Sequence, residues 1–368
     1  MTEHKFKSKN NIINTKGIGI KVKKIGIITI NDNDNYGNRL QNYAVQEIIK
    51  KVGGEAYNIE NYIQFNSRKH YFVKRFLYRN FPRNYSERQT RRERFKEFNK
   101  LISYYNGIYC PYKKYDFFDY IFSGSDQVWN PEFAADDATL LRYFPANKRI
   151  AIAASFGVSS IPDEKVKEYA DELGKFKAIS VREEDGAEIV KNLTEKDAEI
   201  LADPTMMLGV EEWRVISKPP TKLPEKKYIL TYFLSEKNKC AKTLIKELEK
   251  DYHAISLNDN EDEIARDAGP REFLYLFDNA ELILTDSFHA CVFSILFNKP
   301  FVVYDRQNSG RGMNSRIDTL LRKFDLMRKH YGVGLENNIW EHNYGKLEEI
   351  LEIERRKFMD FVRSAIDE

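Results

Sequence analysis

Short apolar runs of strand length alternate with longer amphipathic segments along most of the chain. KKIGIITI reads as a buried strand, and the polar loop NDNDNYGN leads from it into RLQNYAVQEIIKKVG. There Leu40, Ala44, Ile48 and Ile49 share one helical face, and Gly53 is placed to end the helix. A further strand through Ile121 and Phe122 breaks at SGSDQ, and RIAIAASFGVSS gives another with a small, polar end. KAISVREEDGAEIVKNL repeats the order of strand, polar loop and helix, and ILADPTMML adds a short strand capped by Asp203 and Pro204.

A second series begins after EEWRVISKPPTKLPEKK, whose three prolines among charged residues predict a linker over 211–227. Strands near YILTYFL, HAISL, LILTD and FVVYD alternate with helices near CAKTLIKELEK, REFLYLF, FHACVFSILF and SRIDTLLRKF. The clearest unit is ELILTDSFHACVFSILFNKPFVVYD, the βαβ grammar of a parallel sheet. The pattern predicts a polar leader at 1–23, two doubly wound α/β domains at 24–210 and 228–343, and a C-terminal helix over 344–368 packing back on the first. Two such sheets face each other across a cleft, and loops at Asn35, Ser125, Arg182 and Ser287 open toward it.

Composition narrows the class without naming a partner. The 368 residues are 42% hydrophobic and 31% charged, with a net charge of +3. Cys110, Cys240 and Cys291 are far apart and show neither redox nor zinc spacing, which points to buried thiols in a reducing compartment. The Lys-rich start lacks the apolar core of a signal peptide, and no segment reaches the roughly 18 apolar residues of a membrane span. Cytoplasm is the expected location. No metal-ligand cluster is visible, and the Gly-rich phosphate and dinucleotide fingerprints are missing.

Chemistry concentrates in the loops. Ser287 and His289 stand where a strand hands over to a helix, a place whose free N–H groups attract anions, although Ser before a helix is also a simple N-cap. Ser125, Asp126 and Gln127 crowd groups able to bind hydroxyls after Gly124, with Trp129 close by as a sugar-stacking aromatic; an Asx-turn is the competing view. Arg182 puts a cation just past a strand end, whereas Glu183, Glu184 and Asp185 suit the first helical turn. Asp32 and Asp34 read chiefly as turn formers.

The stretch 66–100 is basic and aromatic. Its aromatics belong in a core under a charged surface, or it rests on an anionic membrane at the inner face. No nucleic-acid fold signature accompanies it, so nucleic acid is not an expected partner.

NYGNRLQ, FSGSDQVWNP, SVRE, ADPTMML and TDSFHACVFSILFNKPF, in that order from Asn35 to Phe301, resemble the polysaccharide pyruvyl transferase family. The resemblance implies a fold like the two-Rossmann-domain glycosyltransferases of the B type (GT-B-like). It also implies transfer of the pyruvyl group of phosphoenolpyruvate to two hydroxyls of a sugar in an exopolysaccharide or capsule, as a ketal, with release of phosphate. The first domain is then the acceptor side and the second the donor side. Phosphoenolpyruvate is a substrate, no cofactor is implied, and the glycan acceptor is free or lipid-linked.

Carried onto this sequence, the resemblance makes Arg182, His289 and Asp126 the catalytic candidates, with Asp32 a lesser alternative to Asp126. Asn35, Tyr36, Gln41, Ser125, Gln127 and Ser287 become substrate-binding candidates. Many family members carry arginine where this chain has Ser287. A neighbour such as Arg306, Arg311 or Arg316 then supplies the missing charge, or the donor differs. Two alternatives stay open: a glycosyltransferase using a nucleotide sugar, and a degenerate relative that binds glycan without turnover.

Overall fold

The computed structural model describes residues 22–59, 89–105, 117–132, 135, 137–259, 261–306, 311–333 and 338–367. Most of the leader and of the basic aromatic stretch therefore lies outside the described residues. The first lobe is a six-stranded parallel sheet in the order β2-β1-β3-β4-β5-β6. Its strands are β1 (Lys24–Ile28), β2 (Glu55–Asn58), β3 (Tyr120–Ser123), β4 (Arg149–Ala154), β5 (Ala178–Val181) and β6 (Glu199–Ile200). Alternation along the strands builds two layers. Ile25, Ile27, Phe122, Ile150 and Ile152 face helix α1 (Tyr36–Lys51) and α2 (Gln89–Asn99). Ile121, Ala151, Ile179 and Val181 face α3 (Asp163–Leu173) and α4 (Glu184–Thr194).

The second lobe is a four-stranded parallel sheet, β10-β9-β7-β8. It is built from β7 (Tyr228–Tyr232), β8 (His253–Ser256), β9 (Leu282–Thr285) and β10 (Phe301–Val303). Helix α6 (Lys239–Leu248) covers its outer face, where Ala241 and Ile245 meet Ile229, Leu282, Leu284 and Val302. The inner face carries α8 (Pro270–Asn279), α9 (Phe288–Leu296) and α10 (Arg311–Lys323), a short α7 (Glu263–Arg266) having preceded them. Every residue of α9 is buried, as a helix apolar on all sides requires.

One apolar core runs unbroken from the inner face of the first sheet to the inner face of the second. Tyr36 is its seam. The ring stacks on Phe273 at 4.9 Å and meets Tyr232 edge-on at 5.8 Å, while its hydroxyl donates to the Ala268 carbonyl at 3.0 Å. The stretch 211–227 is not all linker, because it opens within helix α5 (Val210–Ile216). Trp213 of that helix is buried between Tyr43 and Phe293, which forces an ordered turn before the irregular, proline-containing chain. The last helix, α11 (Leu347–Asp367), lies against the first lobe, where Arg355 Nε donates to the Met206 carbonyl at 3.1 Å.

The described part of the basic stretch turns its aromatic residues inward and leaves Lys96 and Lys100 exposed. Phe95 and Phe98 of α2 are in the core, and Arg94 reaches the second lobe at Asp267, 3.0 Å away. Arg91 lies over the Tyr36 ring at 4.5 Å and donates to the Leu257 carbonyl at 3.2 Å. Of the three cysteines, Cys291 is buried and Cys240 is exposed, contrary to the expectation that all are buried. Cys110 lies outside the described residues.

In both sheets the strand order reverses beside the first strand, between β1 and β3 and between β7 and β9. The loops leaving those strands flank the positions where ligands of open α/β sheets collect.

Candidate active site

Residues from both lobes meet in one polar cluster. Arg182 leaves the carboxyl end of β5, and Asp203 follows β6 as the cap of the short turn Pro204–Met207. Arg182 Nη1 donates to Asp203 Oδ2 at 2.5 Å, and Nη2 donates to Asp126 Oδ1 at 3.4 Å. The other oxygen of Asp203 accepts the Thr205 N–H at 2.9 Å and the Thr205 hydroxyl at 2.6 Å, which fixes the carboxylate. From the second lobe, His289 in the first turn of α9 brings Nε2 to 3.7 Å from that same Oδ2. The guanidinium and the imidazole thus converge on one oxygen.

The first turn of α1 holds the other side of the imidazole. A Cβ at Gly37 would stand 2.2 Å from His289 Nδ1 and 2.3 Å from its Cγ, so only glycine permits this approach. One residue on, Asn38 Nδ2 donates to Asp126 Oδ2 at 3.1 Å. The Asn38 oxygen in turn accepts from Arg39 Nη2 at 2.7 Å and from the Asp32 N–H at 2.9 Å, so the amide cannot rotate away. Asp126 itself takes a left-handed φ of 74°, which Asp tolerates better than most side chains.

A second guanidinium enters from α10. Arg316 Nη2 and Nη1 donate at 2.8 and 3.0 Å to the Gln127 amide oxygen, with that amide turned to face them. Phe288 lies against both cations, 4.8 Å from Arg182 Cζ and 5.8 Å from Arg316 Cζ.

Burial and charge set the protonation states. Burial opposes the Asp126 charge, but Arg182, His289 and the Asn38 amide bring its pKa down to about 2. Asp203 likewise resists burial and is held below the carboxylate range by His289 and Arg182. Burial works against the Arg182 cation, yet Asp203 and Asp126 keep its pKa above the ordinary value. For His289, burial wins over Asp203 and Asp126 and lowers the imidazole pKa. Burial, with Arg182 beside it, lowers Arg316 to about 10, which leaves it a cation at neutral pH.

Among the described residues, the buried polar atoms here without a hydrogen-bond partner include Arg182 Nε, Glu183 Oε2 and His289 Nε2. Such atoms are uncommon in folded proteins, and their clustering marks a place that a polar ligand would complete.

The remaining sequence candidates divide. Asn35 is half-buried and caps α1, its Oδ1 accepting the Asn38 N–H at 3.1 Å. Gln41 is fully buried and donates to the Thr29 hydroxyl at 3.1 Å, and Thr29 Oγ1 donates to the Ser125 carbonyl at 2.8 Å. The Ser125 hydroxyl donates to the Ala153 carbonyl at 2.7 Å. These contacts shape the loop that carries Asp126. Ser287 is buried at the N-cap of α9, and its N–H bonds Thr285 Oγ1 at 2.9 Å. Arg306 is half-buried, near enough for its charge to weigh on Arg316. The Arg311 side chain lies outside the described residues.

Tyr36 is sealed in the seam between the lobes, and burial raises its pKa to about 12. Trp129 is not a sugar platform: it is fully buried against Phe156 and Phe176, with its N–H donated to the Thr139 carbonyl at 3.1 Å. Asp32 is exposed, and its Oδ1 accepts the Asp34 N–H at 2.9 Å as a turn former would. Sequence reasoning missed Asp203, Asn38, Gly37 and Glu183 as parts of the site. The available signal was the charge of Asp203 inside ILADPTMML, because a carboxylate within so apolar a run needs a buried partner.

A model of the polysaccharide pyruvyl transferase family matches residues 35–308, most of the chain and every residue of this cluster but Arg316. The chain belongs to the polysaccharide pyruvyl transferase family. No curated protein matches its sequence. Among solved structures, the UDP-GlcNAc 2-epimerase of Neisseria meningitidis is 12% identical over 92% of this chain and 94% of its own, with a TM-score of 0.45. The MnaA of S. aureus, solved with UDP, is 12% identical over 94% and 97% with a TM-score of 0.46. The Methanocaldococcus jannaschii UDP-GlcNAc 2-epimerase is 15% identical over 91% and 99% with a TM-score of 0.41. Likeness at this level carries no argument about ligand or activity in this family member. No described helix is long and apolar enough to cross a membrane.

Proposed function

We propose that this family member moves the pyruvyl group of phosphoenolpyruvate onto two hydroxyls of a sugar in a cell-envelope polysaccharide. The observation that carries the reading is the meeting of Arg182 and His289, from different lobes, on one buried oxygen of Asp203. Phosphoenolpyruvate bears a phosphate and a carboxylate, and two buried guanidiniums, Arg182 and Arg316, are the fixed cations that such a molecule needs. Arg316 then supplies the charge that Ser287 does not.

In the first step the oxygen of a sugar hydroxyl bonds to the central carbon of the enol ester, and the methylene carbon gains a proton. Neutral His289 takes the hydroxyl proton and returns it to the methylene carbon. In the second step the other hydroxyl oxygen displaces phosphate from that carbon, and its proton leaves with the phosphate. Asp126, with so low a pKa, is a weak base and serves to orient the hydroxyls by accepting their hydrogen bonds.

The rival nucleotide-sugar reading meets an obstacle at the reversal point of the second sheet. Asp286 there already accepts the Leu234 N–H at 2.6 Å, the Ser235 N–H at 2.9 Å and the Ser235 hydroxyl at 2.5 Å. A diphosphate seeking those donors would face a carboxylate.

The test is phosphate release from phosphoenolpyruvate against free and lipid-linked galactose, glucosamine and mannosamine acceptors. Release must require an acceptor and must fall steeply in Arg182→Ala and His289→Ala. Wild-type rates in both variants would remove the assigned site, and no release with any acceptor would leave a glycan-binding relative. Thermal stabilisation by uridine or guanosine diphosphate but not by phosphoenolpyruvate would favour the rival.

A further inference from the structure

The turn that leaves β5 carries a carboxylate that the proposed chemistry does not use. Glu183 stands at the N-cap of α4, yet its side chain does not cap that helix. It reaches instead to the end of β4, where Oε1 accepts the Phe156 N–H at 2.8 Å and the Gly157 N–H at 3.4 Å. The residue is fully buried, and Oε2 has no hydrogen-bond partner. A buried charge with an unfilled oxygen is costly unless the field of nearby cations offsets it.

Both guanidiniums of the anion site supply such a field. Arg182 is the preceding residue of the chain. Gly157, which Glu183 holds, packs so closely on Gln127 that a Cβ there would stand 2.2 Å from an end atom of the amide, and that amide carries Arg316. Helix α10, which bears Arg316, also crosses the start of α4, where Arg322 Nη2 donates to Glu184 Oε2 at 3.1 Å. Burial and then Arg182 work against the Arg316 cation, and Glu183 offsets them more than Asp126 does. Burial works against the Arg182 cation too, and there Glu183 helps after Asp203 and Asp126. Asp126 and Asp203 bond Arg182 directly, whereas Glu183 bonds neither guanidinium and acts on both through space.

We infer that Glu183 is the resident counter-charge of the anion site, a residue that competes with the donor for the field of Arg182 and Arg316 and so limits how tightly donor and released phosphate are held. The inference rests on the proposed pyruvyl transfer for the identity of the donor, while inorganic phosphate tests the counter-charge without turnover. Two unopposed guanidiniums would grip the product phosphate as firmly as the phosphate of the substrate, and such uniform binding does not speed the reaction. The Glu183 carboxylate weakens both, so that phosphate leaves once the ketal has formed.

Calorimetric titration of inorganic phosphate into wild type and Glu183→Gln tests this, because the glutamine oxygen still accepts the Phe156 and Gly157 N–H groups. The variant should bind phosphate about tenfold more tightly. In the phosphate-release assay its KM for phosphoenolpyruvate should fall by a similar factor, and inhibition by added phosphate should strengthen. A side chain that merely ties two turns together would leave the affinity unchanged. Unchanged or weaker binding in the variant, or none to either protein, overturns the inference. Stability supplies a second reading if Glu183→Gln alone folds poorly. Arg316→Met strips Glu183 of part of its offsetting field, so adding Glu183→Gln to it should raise the urea midpoint, and a fall would overturn the inference as well. Tighter phosphate binding in Glu183→Gln, with no phosphate release by wild type at any acceptor, would instead overturn the proposed reaction and leave the counter-charge standing.

Discussion

Arg182 and Asp203 form a pair whose side chains are 1% and 0% exposed, so solvent screens neither charge. Replacing one partner by a neutral isostere therefore leaves the other as a buried ion, a change that costs about 3–5 kcal/mol. Arg182→Met leaves Asp203 with Thr205 and the distant His289. Asp203→Asn leaves Arg182 with the longer contact to Asp126 at 3.4 Å in place of its short ion pair. In the double variant the Asp203 charge goes with Arg182 and only Asp126 is left short of its cation, so the loss should fall short of the two single losses added together by about 2–3 kcal/mol. Urea unfolding read by tryptophan fluorescence measures all four proteins, and the core shared by both lobes predicts a single transition. Losses that add to within about 0.5 kcal/mol would refute the claim that these groups act as one buried unit.

Other consequences follow from the same geometry. Gly37→Ala must displace the His289 ring, so phosphate release should fall by about 100-fold for a stability loss of only about 1–3 kcal/mol, both read on one preparation. Tyr36→Phe should lose about 1 kcal/mol in urea unfolding, from the bond to Ala268, and keep its rate, because the hydroxyl ties the lobes and touches no substrate. His289 has a lowered pKa in the folded state, so its contribution is fully present above the unfolded value of about 6.5 and is lost as pH falls toward the folded value. Unfolding free energy in that window should slope with pH in wild type and be flatter in His289→Asn.

Much of the fold could be read because each element obeys its own period. The four strands and four helices anticipated in the second lobe lie within a few residues of their observed ends, since their apolar runs are bounded by Pro, Asn and Asp. Helix α3 escaped notice, because DEKVKEYADEL buries only Tyr169, Glu172 and Leu173 and presents mostly charge. In the site, Arg182 and His289 were legible as polar residues just past apolar strands. Asp203 was not, because Asp before Pro reads as a cap, and only the folded chain brings it beside an arginine 21 residues away. Trp129 misled for the opposite reason: a polar setting in sequence became an apolar one once β4 and α3 closed over it.

The claim beneath the whole account is that two guanidiniums and an imidazole, drawn from separate lobes, form one receptor for phosphoenolpyruvate. Isothermal titration calorimetry of phosphoenolpyruvate into wild type, Arg182→Met and Arg316→Met puts that to the most direct test. The account predicts one saturable site in wild type and affinities weakened at least about 100-fold in each variant. Equal affinities in all three proteins, or no binding to wild type, would contradict it.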